Sequence, residues 1–162
     1  IHFKSSPYYF SKICVVMSKK GSDSAINWED ALEQCGGEQE FLEELLCDLY
    51  SEATNHIKTI KEALDGLEGE SDYQELADTI RRASHSIKGA AANLMCNSLS
   101  SAAQYLEKCG MQGVAGELSE SDFNEQARSG YASLKTEMEN FVAELKDKEI
   151  DIPEADDDDA KK

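Results

Sequence analysis

The 162-residue sequence has few prolines and no long apolar run. Its two prolines, Pro7 and Pro153, lie near the ends, so no proline interrupts a helix in the residues between them. The longest apolar run is Ile13 to Met17, whereas a transmembrane helix needs about 20 apolar residues. The sequence therefore predicts an all-helical body and no contact with a membrane.

Positive charge is scarce, because 33 Asp and Glu face 16 Lys and Arg and give a formal net charge of −17. Phosphate backbones are bound by clustered cations, so this composition argues against a nucleic-acid partner. The 5 cysteines form an odd set without a C-x-x-C pair, which fits neither a disulfide scaffold nor the usual zinc spacing. Such thiols favour a reducing compartment, and we expect a cytoplasmic protein, or also a nuclear one in a eukaryote.

Both ends differ in composition from the middle of the chain. Residues 1–21 lack a secretory signal and have two interpretations: translation from upstream of a natural start at Met17, or a genuine flexible extension. Residues 151–162 contain four consecutive aspartates, a composition that predicts a disordered, solvated tail. We expect residues 22–150 to form one domain.

Apolar residues in this domain recur at steps of three and four, which indicates amphipathic helices. A short helix is predicted between Ile26 and Gly36, followed by four long helices. Their predicted starts are Glu38, Ser71 as an N-cap, Asn97-Ser98 as a cap, and Ser119. Gly110, Gly113 and Gly116 predict a loop with a C-capping glycine. Short connections then imply an antiparallel up-down four-helix bundle with a short extra N-terminal helix.

His85 stands out among the histidines. At 100° per residue, the apolar side chains of its helix gather on one side and His85 points away from them. Arg81, Lys88, Gly89 and Ala92 share its exposed side. An imidazole nitrogen is a nucleophile near neutral pH, and neighbouring cations neutralise an attached phosphoryl group. Gly89 costs the helix about 1 kcal/mol relative to alanine, which suggests that it lets another protein approach the histidine.

Motifs for other chemistries are absent from the sequence. It contains neither of the glycine-rich nucleotide motifs G-x-x-x-x-G-K-[ST] and G-x-G-x-x-G, nor the hydrolase motifs H-E-x-x-H and G-x-S-x-G. The other two histidines are less informative. His56 lies at the margin of an apolar stripe, and His2 belongs to the N-terminal segment.

Three segments resemble the histidine-containing phosphotransfer (HPt) domain family. Residues 83–94, ASHSIKGAAANL, resemble the family's active helix, A-H-S-L-K-G-A-A-A-N-L. Residues 36–46, GGEQEFLEELL, resemble its G-G-D-x-x-x-L-x-x-L-L stretch, and Leu99 with Leu106-Glu107 resembles its L-x-x-x-A-x-x-L-E helix. The resemblance covers about residues 27–146 and departs at Met95, where the family often has glycine.

The resemblance implies a phosphorelay intermediate without an ATP site or kinase activity of its own. His85 would accept a phosphoryl group from a receiver-domain aspartate of a hybrid histidine kinase and pass it to a response-regulator aspartate. Lys88 would stabilise the phosphoryl charge, and Gly89 would keep the site open. The receiver domain would supply the Mg²⁺, so a monomer with no cofactor or metal of its own is expected.

Supporting residues are less sharply defined. Gln104 or Glu107, on the next helix, is a candidate to hydrogen-bond the other ring nitrogen of His85, or either is plain surface. The remaining supporting candidates are Arg81, Arg82 and Ala92.

Two other readings come from different classes of protein. One is a non-catalytic helical-bundle adaptor in which the residues around His85 only solvate a surface. The other is an enzyme with a metal site in the bundle core, which needs several inward glutamates and Glu-x-x-His pairs. No E-x-x-H occurs in the sequence, which disfavours this enzyme.

Overall fold

The computed structural model describes residues 24–153 except 68, 70 and 71. Within these residues all regular structure is helical, which confirms the predicted fold class. The helices are α1 (Trp28–Gln34), α2 (Gln39–Gly66), α3 (Tyr73–Asn93), α4 (Asn97–Val114) and α5 (Glu120–Asp147). The proposed extension at residues 1–21 and all but the first three residues of the proposed tail lie outside the described residues.

Helices α2 to α5 form the bundle, and each long helix packs against its neighbours in the sequence. Helix α3 lies between α2 and α4, α4 packs against α5, and α2 closes the bundle against α5, while α1 adds to α2. The α3–α4 contact shows the antiparallel direction: Lys88 contacts Ser100, whereas Ala77, near the start of α3, lies beside Gly110, near the end of α4.

The predicted apolar stripes form the core, with shifts on α2 and α3 and with Ala102 of α4 only half-buried. All six predicted core residues of α5 are buried. On α2, however, Leu45 and Ile57 are only half-buried, and Leu46 and Ala63 are buried in addition. Helix α2 packs against both α3 and α5, so its buried stripe is wider than one line of residues. On α3, where Ala77 is buried in addition, the predicted core residues Tyr73 and Leu76 are likewise half-buried.

Two of the predicted helix caps are wrong. Asp72, not Ser71, caps α3, because its carboxylate accepts a hydrogen bond from the Gln74 N–H at 2.9 Å. Ser71 itself lies outside the described residues. Cys96, not Asn97, is the N-cap residue of α4 and makes no side-chain cap. Its own N–H closes the last turn of α3, and its thiol donates to Leu94 O instead of accepting from the first turn of α4.

That connection forces Met95 into a left-handed conformation, with φ of +57°. The N–H of Met95 donates to Ala92 O and that of Cys96 to Ala91 O, the two hydrogen bonds of a Schellman turn. Glycine takes this conformation without strain, which gives a physical reason for the glycine that the resembling family often has at this position.

The loop predicted for the three glycines is wrong for Gly110 and Gly113, whereas the predicted C-capping glycine is found at Gly116. Gly110 and Gly113 lie buried inside α4, and only Gly116, with φ of +69°, belongs to the turn that ends it. A Cβ on Gly110 would lie 2.8 Å from Ala77 O, and one on Gly113 would lie 2.8 Å from Phe123 Cδ2. Both glycines are therefore required by close packing, which local sequence does not reveal.

Helix α1 is held to α5 by one carboxylate. Glu144 accepts hydrogen bonds from the Ala25 N–H at 2.5 Å, from Trp28 Nε1 at 2.5 Å and from the Ser24 hydroxyl. Lys148 Nζ also lies 5.5 Å from the centre of the Trp28 ring. These contacts place α1 over one end of the bundle.

Two glycine substitutions should have opposite effects on stability. Gly110→Ala should lower the free energy of unfolding by about 1–3 kcal/mol, because the added methyl group collides with the α3 backbone. Gly89→Ala is the matched control: its Cβ meets no atom within 4 Å, so a gain of up to about 1 kcal/mol in helix propensity is expected. Urea unfolding measures both, and equal effects would contradict the close α3–α4 packing.

Candidate functional site

His85 lies in the middle of α3 with 65% of its side chain exposed. Ala83, Ile87 and Ala91 of the same helix are buried, so α3 turns its apolar side to the core and presents the imidazole to solvent. The exposure predicted from helix geometry is therefore observed. His56, by contrast, is half-buried on α2, with Nε2 3.6 Å from Glu52.

One carboxylate connects the polar side chains of the site. Nδ1 of His85 lies 2.6 Å from Oε1 of Glu107, and Lys88 Nζ donates to Oε2 of the same residue at 2.6 Å. Glu107 projects from α4, and only 13% of its side chain is exposed. An ionised carboxylate only accepts hydrogen bonds, so Nδ1 is the nitrogen that carries the proton in this contact, and the tautomer with a proton on Nδ1 alone has its lone pair on Nε2.

The protonation state of Glu107 fits this arrangement. Burial alone raises the pKa of its carboxyl, but the hydrogen bonds from Lys88 and His85 and the positive charge of Lys88 outweigh burial and lower the pKa below its usual value. The carboxylate is consequently ionised at neutral pH, which fixes the ring orientation of His85.

The two arginines of the predicted site pair with a different carboxylate, that of Asp78. Arg81 lies 2.7 Å and Arg82 3.1 Å from the carboxylate of Asp78. The structure thus brings Lys88, and neither arginine, to the carboxylate beside His85. Sequence reasoning missed Asp78, although a carboxylate three or four residues before each arginine is a recognisable helical pairing.

Of the two residues on the next helix, Glu107 reaches the imidazole. Gln104 is exposed and makes no hydrogen bond to His85 within the described part of the chain. Sequence reasoning also missed Ser100, whose hydroxyl donates to the Lys88 carbonyl at 3.0 Å and joins α4 to α3. No periodic signal distinguishes this serine from its neighbours.

Gly89 and Ala92 continue the exposed side of α3 beyond His85. The open space around Gly89 shows that no helix packs there. Packing within the bundle therefore does not account for a glycine at this position, and its role in access to His85 stays a prediction.

Other kinds of site are not evident in the part of the chain that the structure describes. No group of three or more His, Cys, Asp or Glu is arranged to hold a metal ion there. Nor does any helix there have the length and apolar character needed to cross a membrane.

Comparison with known families identifies the domain. A family model for the Hpt domain matches residues 44–148, from α2 to the end of α5. The chain belongs to the Hpt domain family. Hpt domains are phosphocarriers that transfer phosphoryl groups on histidine in phosphorelays, interact with receiver domains and are not kinases. Neither the search of curated proteins nor that of solved structures found a match.

Removing the Lys88 ammonium should raise the pKa of Glu107, because a hydrogen bond and a positive charge that favour the carboxylate are lost. Carboxyl-carbon NMR titration of Lys88→Met should show this rise, whereas Lys108→Met, which alters the neighbouring residue, is the control.

The lowered pKa also has a consequence for stability. The stabilisation by the Glu107 carboxylate should be complete above its unfolded pKa of about 4.3 and be lost as pH falls through the lower folded pKa.

The NMR titration of Glu107 also has a contradicting outcome. Identical Glu107 titrations in wild type and Lys88→Met would contradict the assigned hydrogen bond.

Proposed function

We propose that Nε2 of His85 carries the phosphoryl group, accepting it from a receiver-domain aspartate of a hybrid histidine kinase and passing it to a response-regulator aspartate. The observation that supports this is the exposed imidazole whose Nδ1 is held by Glu107. Nε2 has no hydrogen-bond partner among the described residues, so its lone pair is available to an incoming phosphorus atom.

The phosphoryl transfer needs no added base. The Nε2 lone pair attacks phosphorus, the N–P bond forms, and the P–O bond to the receiver aspartate breaks with its electron pair returning to the carboxylate. Nε2 carries no proton in the held tautomer, so none has to leave. The phosphorylated ring, still protonated on Nδ1, gains positive charge, which the adjacent Glu107 carboxylate stabilises. The second transfer reverses these steps towards a different aspartate.

Lys88 provides the positive charge for the phosphoryl group in this proposal. Its ammonium is 29% exposed and bonded to Glu107, one helical turn from His85. Three N–H donors allow an ammonium to keep this carboxylate while it also binds a phosphoryl oxygen. The receiver domain supplies the Mg²⁺, and this chain supplies the nucleophile, the orienting carboxylate and one cation.

Phosphoryl transfer from a ³²P-labelled receiver domain tests the proposal. Wild type should gain acid-labile, base-stable label, since a phosphoramidate leaves readily once its nitrogen is protonated. His85→Gln should gain none, while His56→Gln, the matched control on α2, should be labelled normally. Helical circular dichroism should remain unchanged in His85→Gln because the side chain is exposed. Label on His85→Gln would refute the assignment, and no label on wild type would favour an adaptor.

Gly89→Gln should separate folding from transfer. The open space at Gly89 accommodates a side chain, so the variant should fold, but this side chain would project beside His85 and obstruct the receiver domain. Transfer should fall at least several-fold while the urea midpoint stays near that of wild type. Normal transfer by the folded variant would disprove the access role, and unfolding would show that Gly89 is a packing residue.

A further inference from the structure

A polar groove, which we call the α4–α5 groove, runs between these two helices. Hydroxyl and carboxylate side chains form most of its lining: Ser98, Ser101 and Tyr105 of α4, and Ser129, Ser133 and Glu137 of α5. Tyr105 faces Gly130 of α5, whereas Glu107 of the same helix faces His85 on α3. Helix α4 therefore separates the groove from the site around His85.

The groove continues to the first residues that the structure describes. Ser24 and Ala25 line its end together with Ser98, Glu137 and Glu144. Glu144 holds both of these first residues, since it accepts hydrogen bonds from the Ser24 hydroxyl and from the Ala25 N–H. The chain that precedes Ser24 is thus attached at one end of the α4–α5 groove.

Glu137 lies where the two stretches of the groove join. Its side chain is half-buried, and the carboxylate accepts one hydrogen bond from the described residues, from the Asn140 amide at 3.3 Å. It forms no ion pair with a cation in this part of the chain. Charges attract more strongly where water is partly excluded, so Glu137 favours a cation inside the groove.

The segment before Ser24 carries such cations. Residues 18–23, SKKGSD, contain Lys19 and Lys20 and one acid, Asp23. Both lysines follow Met17, so they belong to the chain under either interpretation of its N-terminal residues.

The segment is also long enough. Lys20 precedes Ser24 by four residues, and an extended chain spans up to about 3.6 Å per residue, hence about 14 Å. Glu144 and Glu137 are seven residues apart on α5, which corresponds to about 10 Å along the helix. Lys19 and Lys20 can therefore both reach Glu137 from the position of Ser24.

We infer that residues 18–23 lie in the α4–α5 groove, with the ammonium groups of Lys19 and Lys20 beside Glu137. Helix α5 carries seven acids and three cations, which attracts a basic segment. Asp23 reaches the start of α4, where the first turn has no acid and no side-chain cap and the helix dipole favours a carboxylate. Hydroxyl groups both donate and accept, so those of the groove suit the backbone of an extended segment.

This inference is independent of the proposed function, because His85 takes no part in the groove. Carbodiimide cross-linking of the full chain tests it, since the reagent joins an amine to a carboxylate in contact, with loss of water. Peptide mass spectrometry of the monomer should find Lys19 or Lys20 linked to Glu137 several-fold more often than to Glu139, an exposed acid of α5 outside the groove.

Variants and salt separate a specific contact from general attraction. Glu137→Gln should abolish the link to residue 137 without increasing links elsewhere, and the control Glu139→Gln should leave the link to Glu137 unchanged. Since Glu137 is only half-buried, salt at 1 M should lower the yield several-fold.

Amide NMR gives a second readout that needs no cross-linker. The double variant Lys19→Gln/Lys20→Gln should shift the amide resonances of Ser98, Ser101 and Ser133, while that of His85 stays in place. Lys161→Gln/Lys162→Gln is the matched control: it removes the same charge from the other end of the sequence and should shift none of them.

Three results would overturn the inference. The first is the absence of links from Lys19 and Lys20 to Glu137, or their even spread over the acids of α2 and α5. The second is groove amides that do not respond to Lys19→Gln/Lys20→Gln. The third is a link to Glu137 found only in covalent dimers, because a second copy of the chain would then occupy the groove.

Discussion

The close approach of α3 and α4 is the constraint on which the site depends. Gly110 and Gly113 lack the side-chain atoms that would hold the two helices apart. One turn before Gly110, Glu107 then reaches both His85 and Lys88 at 2.6 Å. Ser100 adds a hydrogen bond nearer the other end of the same contact. A wider separation would leave the imidazole without its orienting carboxylate, so core packing determines the chemistry of an exposed side chain.

The fold was largely predictable because its signals are local and repeated. Apolar spacing without interrupting prolines defines the helices, and short connections define their antiparallel order. The exposure of His85 follows from the same spacing, since one apolar stripe fixes the direction of every other side chain on α3. Predictions failed where tertiary contact decides, as at Gly110 and Gly113, whose helical character depends on the backbone of α3.

The residue that holds His85 depends on a similar nonlocal detail. Gln104 and Glu107 lie on neighbouring faces of α4, and only the rotation of α4 against α3 brings one of them to the imidazole. The buried glycines Gly110 and Gly113 leave room for α4 to pack in this orientation, and the sequence alone predicted a loop there. The start of α4 was missed for a related reason: the connection before it is so tight that Cys96 closes α3 and begins α4.

The attachment of α1 to Glu144 gives the molecule an internal spectroscopic reporter. Trp28 is the only tryptophan in the sequence, its indole N–H is bonded to the Glu144 carboxylate, and Lys148 lies over its ring. Detachment of α1 would therefore replace a charged, partly dry environment by water and alter the tryptophan emission. Movements at this end of the bundle can be followed by fluorescence without attaching a label, separately from events at the imidazole.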